Sequence, residues 1–134
     1  MIAGFHHIVL FCTDTEASRE WYEQVGFVYK RGYRGMHWFE LGDGEIMLHP
    51  GGGSAGVNAS TVHVAVTALD ELFERVRNAG FEPFDHQDPG SRLEEPVVRQ
   101  WGDREFELKD PDGRVWAFNE AVAEPKLVGL EEFR

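Results

Sequence analysis

Two histidines, His7 and His63, occupy the same place in two related stretches of the chain. Two glutamates are matched in the same way, because Glu40 and Glu107 each lie in a Phe-Glu-Leu segment. Imidazole and carboxylate groups are the side chains from which proteins build both metal sites and hydrogen-bonded ligand sites. These four residues are therefore the first candidates for chemistry.

The sequence reads as one structural unit written twice. Each copy begins with an apolar segment that contains the histidine, continues through a helix-like stretch that ends at a Gly-Phe pair, and reaches a turn glycine after the Phe-Glu-Leu segment. The Gly-Phe pairs begin at Gly26 and Gly80, and the turn glycines are Gly44 and Gly113. Two such short units cannot each bury an apolar face alone, so we expect them to pack together and to place a ligand site where they meet.

Hydrophobic periodicity predicts the order strand, helix, strand, strand, strand in each copy. In the first copy the predicted strands are 5–12, 27–33, 36–41 and 45–49. Thr13 and Glu16 form the pattern of a capping box at the start of the first helix, and Gly26 is placed to end it in a left-handed conformation. In the second copy the predicted strands are 61–67, 81–86, 104–109 and 114–120, with an amphipathic helix over 69–79.

At 134 residues the chain is expected to form a single domain, 1–134. Its parts are module one at about 5–50, a Gly- and Ser-rich linker at 50–59, module two at about 60–120, and a C-terminal tail at 121–134.

Composition excludes several function classes. The chain carries 24 acidic and 13 basic residues, a net charge of −11, which disfavours nucleic acid as a partner. We find no apolar run long enough to span a membrane and no signal peptide, and we expect a cytoplasmic protein without membrane partners. The single cysteine, Cys12, allows no internal disulfide, which agrees with a reducing compartment, and we interpret it as a small buried hydrophobe.

These histidine-bearing strands, paired helix–Gly–Phe junctions and the terminal Asp-Pro-Asp-Gly turn resemble the vicinal oxygen chelate superfamily, also called the glyoxalase/bleomycin resistance/dioxygenase family, over about residues 5–120. The segment from Trp101 to Phe106 is most similar to the bleomycin-resistance branch, and Leu69–Leu72 also resembles it. The resemblance implies an α+β fold, with two tandem βαβββ modules forming a curved, cleft-lining mixed β-sheet with helices on the outside. It also implies homodimers.

In the metal-dependent relatives a histidine on the first strand of each module binds a divalent ion, and His7 and His63 match these two. The relatives complete the site with a carboxylate four residues after the turn glycine, where this chain has Ala117 and Leu48. A catalytic metal generally needs three protein ligands, so we predict a site without a metal or other cofactor. The alternative is a divalent metal held by His7, His63 and a displaced carboxylate from Glu40 or Glu107.

The predicted function is non-catalytic binding of a small organic ligand, with no catalytic residues. An apolar cleft floor, tryptophans that stack on planar groups and the negative charge favour a planar or cationic ligand such as a bleomycin-type antibiotic, and hence a role in antibiotic resistance. The predicted ligand-binding residues are Trp38, Trp101, Trp116, His7, His63, Leu48, Ala117 and Glu107. The alternative is a metal-dependent lyase, isomerase, dioxygenase or thiol transferase of the same superfamily.

Overall fold

A computed structural model describes residues 1–51, 61–100 and 102–121 of the chain. Within these ranges, two helices and eight strands form two four-stranded mixed sheets, which confirms the predicted α+β class and its two βαβββ modules. The first module consists of β1 (His7–Cys12), α1 (Thr15–Val25), β2 (Tyr29–Tyr33), β3 (Met36–Leu41) and β4 (Gly44–Pro50). The second consists of β5 (Thr61–Ala65), α2 (Leu69–Asn78), β6 (Val97–Val98), β7 (Asp103–Lys109) and β8 (Val115–Ala121).

The backbone groups into two compact units. The first unit holds the elements β1 to β4 with α1, and the second holds β5 to β8 with α2. The turn Asp110–Arg114 connects β7 to β8 but groups with the first unit. There, the Tyr22 hydroxyl donates to Asp110 Oδ2 at 2.7 Å, and the Thr13 backbone N–H donates to Asp112 Oδ1 at 3.0 Å.

The first sheet has the strand order β1-β4-β3-β2, with β1 parallel to β4 and the other pairs antiparallel. Helix α1 packs on β3 and β4. The strand residues buried on the helix side alternate with exposed or half-exposed ones, as expected for a sheet covered on one face. The apolar ones among these buried residues are Leu10, Cys12, Phe39, Ile46 and Leu48. Burial raises the pKa of the Cys12 thiol, which agrees with its interpretation as an unreactive core residue.

The second sheet has the corresponding order β5-β8-β7-β6, with β5 parallel to β8. Helix α2 packs on β7 and β8, where Phe73 meets Phe106 edge to face and Phe106 stacks on Phe118. Consecutive residues 105 to 108 of β7 are all buried, so this strand is covered on both faces. The second face is covered by side chains on both sides of β6 in the chain, Asp85 and His86 before it and Arg99 after it.

Two predicted details are wrong. The first helix is capped by Asp14, whose carboxylate accepts from the backbone N–H groups of Glu16 and Ala17, and not by a Thr13–Glu16 capping box. The predicted strand 81–86 is absent from the described residues, where Phe84 makes only an isolated bridge to Glu107. The strand that pairs with β7 is instead Val97–Val98, where no element was predicted. The predicted helix end at Gly26 is confirmed, with a φ of 126°.

Among the described residues, no helix combines the length and the apolar character needed to cross a membrane.

Candidate functional site

The second sheet carries a polar face. In the parallel ladder His63 lies opposite Ala117, and across the next ladder Ala117 lies opposite Glu107. The same registers place Asn119 opposite Glu105. Residues directly opposite each other in a ladder project to the same side of a sheet, so these five side chains share one face, which we call the His63 face.

A buried ionic network lies on the His63 face. Arg99 donates from Nε to Glu105 Oε1 at 2.5 Å and from Nη2 to Asp85 Oδ1 at 2.7 Å. Burial lowers the pKa of the Arg99 guanidinium, but the hydrogen bonds to Asp85 and Glu105 outweigh burial and leave that pKa above its ordinary value. The same bond from Arg99 lowers the pKa of the Asp85 carboxyl. Both carboxylates are therefore matched to a permanent cation.

Glu107 is also committed to partners. Its Oε1 accepts from the His86 backbone N–H at 3.0 Å and lies 2.5 Å from His86 Nδ1. Glu107 is only 2% exposed, whereas the side chain of His86 is exposed. Ligand atoms of Asp85, His86 and Glu107 lie within 4.8 Å of one another. Asp85 is nevertheless bound to the Arg99 guanidinium, whose charge opposes a cation at that point.

His63 stands at the open side of this network. Its Nδ1 lies 2.9 Å from Asn119 Oδ1, and Asn119 Nδ2 donates to Glu105 Oε2 at 3.1 Å. The His63 side chain is 57% exposed, whereas that of Glu105 is 2% exposed. The imidazole borders an open pocket of about 470 Å³. The pocket is lined by His63, Val64, Ala65, Asp103, Asn119 and Ala121.

The corresponding face of the first sheet, which we call the His7 face, has different chemistry. Here His7 lies opposite Glu45, and Glu45 lies opposite Glu40. His7 is exposed, and its Nδ1 lies 2.7 Å from Nδ1 of His6. Trp38, half-buried, shares this face because it lies opposite Met47, two residues from Glu45.

Two cationic side chains bind the carboxylate of Glu45. Lys30 Nζ lies 2.5 Å from Oε2, and Arg31 donates from Nη1 and Nη2 to the two carboxylate oxygens at 3.0 and 3.2 Å. An irregularity in the pairing of β2 between Tyr29 and Arg31 interrupts the alternation, and both cations reach the same carboxylate. Hydrogen bonds from Arg31 and then Lys30 lower the pKa of Glu45 to about 2. The Arg31 guanidinium also lies over the Trp38 ring, 4.8 Å from its centre.

The structure fully buries three of the predicted ligand contacts, Leu48, Trp116 and Ala117. Leu48 is fully buried on the face that packs against α1, because it shares parity with Ile46 and not with Glu45. Trp116 is fully buried as well, on the side opposite Ala117 and His63. Ala117 lies on the same face as His63 but is buried as well, so none of these three side chains is accessible to a ligand, contrary to the prediction. Trp101 lies outside the described residues.

The remaining predicted residues divide between the two units. His63, Ala117 and Glu107 share the His63 face, and His7, Glu40 and Trp38 share the His7 face. Glu107 belongs to the buried network rather than to an exposed ligand surface. Glu40, by contrast, is exposed.

Sequence reasoning missed three residues that shape these faces: Glu45, Arg99 and Asn119. Glu45 was findable, since Glu45, Met47 and His49 alternate with Ile46 and Leu48 and so share a face. Counting from the turn glycines failed because the two hairpins differ in length. Leu41 pairs with Gly44 in the first, whereas Lys109 pairs with Val115 in the second. By register, the counterpart of Ala117 is Glu45.

Comparison with known proteins decides the family. The model of the glyoxalase/bleomycin resistance protein/dioxygenase superfamily matches residues 4–118. The chain belongs to this superfamily. No curated protein sequence matches it significantly.

Several solved structures share the fold at low sequence identity. A glyoxalase family protein from Bacillus anthracis is 22% identical, with a TM-score of 0.71 over 91% of this chain and 98% of the other. The fosfomycin resistance protein FosX from Listeria monocytogenes is 18% identical, with a TM-score of 0.70 over 92% and 97%. TioX from Micromonospora sp. ML1 is 22% identical, with a TM-score of 0.66 over 90% and 100%. At these identities the likeness concerns the fold, and the bleomycin-resistance branch stays a prediction.

The side chains of this superfamily member fit a divalent metal poorly. Beside His63, the paired position holds the methyl group of Ala117, and the carboxylates of Glu105 and Glu107 on that face are bound to Arg99 and His86. Beside His7, the paired carboxylate of Glu45 is already neutralised by Lys30 and Arg31. A metal would have to displace Arg99 from Glu105, or Lys30 and Arg31 from Glu45, before these carboxylates could act as its ligands.

Proposed function

We propose that this superfamily member is a metal-free, non-catalytic binding protein for a small cationic organic ligand. One observation carries the proposal. Glu105 is bound to Arg99 and Glu107 to His86, while Ala117 occupies the position opposite His63. The His63 face then offers hydrogen-bonding groups without a reactive centre.

The pocket beside His63 supports a positively charged ligand. Asp103 contributes a half-buried carboxylate to its lining, and alanines on both sides give apolar walls. Cationic ligands are also favoured by the net charge of −11. A bleomycin-type antibiotic, with planar and cationic parts, has this chemistry and is the first ligand to test.

Isothermal titration with bleomycin tests the proposal. We expect saturable binding in the micromolar range, weakened at least tenfold by Asp103→Asn and unaffected by Glu82→Gln, which removes an equal charge from an exposed site in the same unit. Fosfomycin, an anionic phosphonate, is the contrasting ligand and should not bind. Absence of bleomycin binding would remove this ligand, and equal loss in both variants would remove the assigned pocket.

The proposal includes a cytoplasmic homodimer. On the His7 face, Phe11 is 46% exposed and Val9 and Met47 are half-buried, which leaves an apolar strip that a second copy would cover. Light scattering coupled to size exclusion tests it. We expect twice the chain mass of 15.3 kDa, and a shift toward the monomer in Phe11→Glu.

A further inference from the structure

We infer that Asn119 is a positioning residue that holds neutral His63 in the Nδ1–H tautomer, so that Nε2 is the hydrogen-bond acceptor offered to the ligand. The tautomer follows from the geometry of the second unit alone. The ligand class that it implies rests on the proposed function.

The buried groups of the network determine which atom donates and which atom accepts in each hydrogen bond. Glu105 forms a buried salt bridge with Arg99, and the carboxylate of a salt bridge only accepts hydrogen bonds. The atom of Asn119 that lies 3.1 Å from Glu105 Oε2 must therefore be the amide nitrogen. Exchanging the amide nitrogen and oxygen would place two acceptors against each other, with one of them buried.

The amide orientation then determines the proton on His63. With its nitrogen turned toward Glu105, Asn119 presents its carbonyl oxygen to His63 Nδ1 at 2.9 Å. A carbonyl oxygen only accepts, so Nδ1 must carry the hydrogen. Glu105 Oε2 lies 3.8 Å from the same nitrogen, and its negative charge favours a proton there as well.

The consequence for recognition lies at the other ring nitrogen. A neutral imidazole with hydrogen on Nδ1 has a lone pair on Nε2. More than half of the His63 side chain is exposed and Nδ1 is engaged, so Nε2 is the nitrogen left to contact a ligand. With the Asp103 carboxylate also lining the pocket, both polar groups accept hydrogen bonds. The matching ligand group is an N–H or O–H donor, such as an ammonium or guanidinium group.

Two-bond ¹H–¹⁵N correlation spectra of histidine-labelled protein read the tautomer directly, because they separate protonated from unprotonated ring nitrogens. The spectra are recorded at about pH 8.5, where an imidazole with its ordinary pKa of about 6.5 is neutral. The chain has six histidines, and His63→Gln identifies the signals of His63. We expect Nδ1 protonated and Nε2 unprotonated in the unaltered protein.

The variant Asn119→Ala tests the positioning role. Free histidine side chains favour the Nε2–H tautomer, so we expect the His63 pattern to shift toward it, whereas Asn78→Ala, at an exposed helix end, should leave it unchanged. An Nε2–H pattern in the unaltered protein would overturn the inference even if Asn119→Ala fails to fold. The same His63 pattern in the unaltered protein and in Asn119→Ala would also overturn the inference. If the tautomer is as stated but bleomycin does not bind, the proposed function fails and this inference stands.

Discussion

Ala117 lies directly opposite His63 in the parallel ladder between β5 and β8, and its side chain is fully buried. A methyl group therefore occupies the place beside the histidine where a metal-binding relative is expected to carry a carboxylate. The acids nearest to it on the same face, Glu105 and Glu107, neutralise Arg99 and bind His86. The carboxylates of Glu105 and Glu107 are thus committed to partners within the protein.

Removing Glu105 should destabilise the second unit strongly. Glu105→Ala leaves Arg99 buried with Asp85 as its remaining ionic partner, and we expect a loss of about 3 kcal/mol, the lower end for breaking a buried pair. Urea unfolding followed by circular dichroism measures the loss. Glu82→Ala, at an exposed position in the same unit, is the control and should change stability by less than about 0.5 kcal/mol. Equal stability of the two variants would contradict the described network.

The bond from Tyr22 to Asp110 should contribute measurably to the first unit. Tyr22→Phe removes a buried donor, while Asp110 keeps Arg114 and the backbone N–H groups of Asp112 and Arg114 as partners. We expect a loss of about 1.5 kcal/mol in chemical unfolding, typical of a hydrogen bond to a charged group. Tyr33→Phe, at a ring that is 59% exposed, should cost almost nothing. A cost as small as that of the control would show that the turn does not dock on α1.

Substitutions at two adjacent residues of β4, Leu48 and Met47, test which face of the strand packs in the core. Leu48→Ala should cost about 2–5 kcal/mol, because the side chain is fully buried against α1. Met47→Ala, one residue away on the half-exposed His7 face, should cost much less. Thermal unfolding of the two variants decides between the faces. The reverse order would restore Leu48 as a candidate ligand contact.

Glu45 should give the protein an acid-sensitive contribution to stability. Its pKa in the folded state is lowered to about 2 from an ordinary 4.5, so the stabilisation is fully present above pH 4.5 and is lost as the pH falls toward 2. We expect the stability difference between the unaltered protein and Glu45→Gln to shrink between pH 6 and pH 3, measured by urea unfolding at low salt. Glu40→Gln, exposed on the same face, is the control. A difference independent of pH would contradict the ion pairs with Lys30 and Arg31.

Sequence patterns were sufficient for most of the fold. The duplicated order of elements, the helix end at Gly26 and the Asp-Pro-Asp-Gly turn follow from local rules of periodicity and backbone geometry, and the structure agrees with them. Local rules failed for β6, because a strand of two residues, Val97 and Val98, is specified by its partner β7 and not by its own pattern.

The site was harder to predict because it depends on strand register. A shift of one residue exchanges the two faces of a strand, and counting from Gly44 selected Leu48, which is core, instead of Glu45. Arg99 gave no local signal, since its importance comes from carboxylates six and fourteen residues away in the chain. The sequence indicated His63 as a candidate, but its partner Asn119 could be recognised only from the pairing of β5 with β8.

Metal analysis tests the central claim most directly. The unaltered protein and His63→Ala are incubated at neutral pH with manganese, nickel, zinc or ferrous ion, dialysed, and measured by elemental analysis. We expect well under one tenth of an equivalent of each metal per chain, with no difference between the two proteins. One equivalent of a metal in the unaltered protein, lost in His63→Ala, would contradict the account.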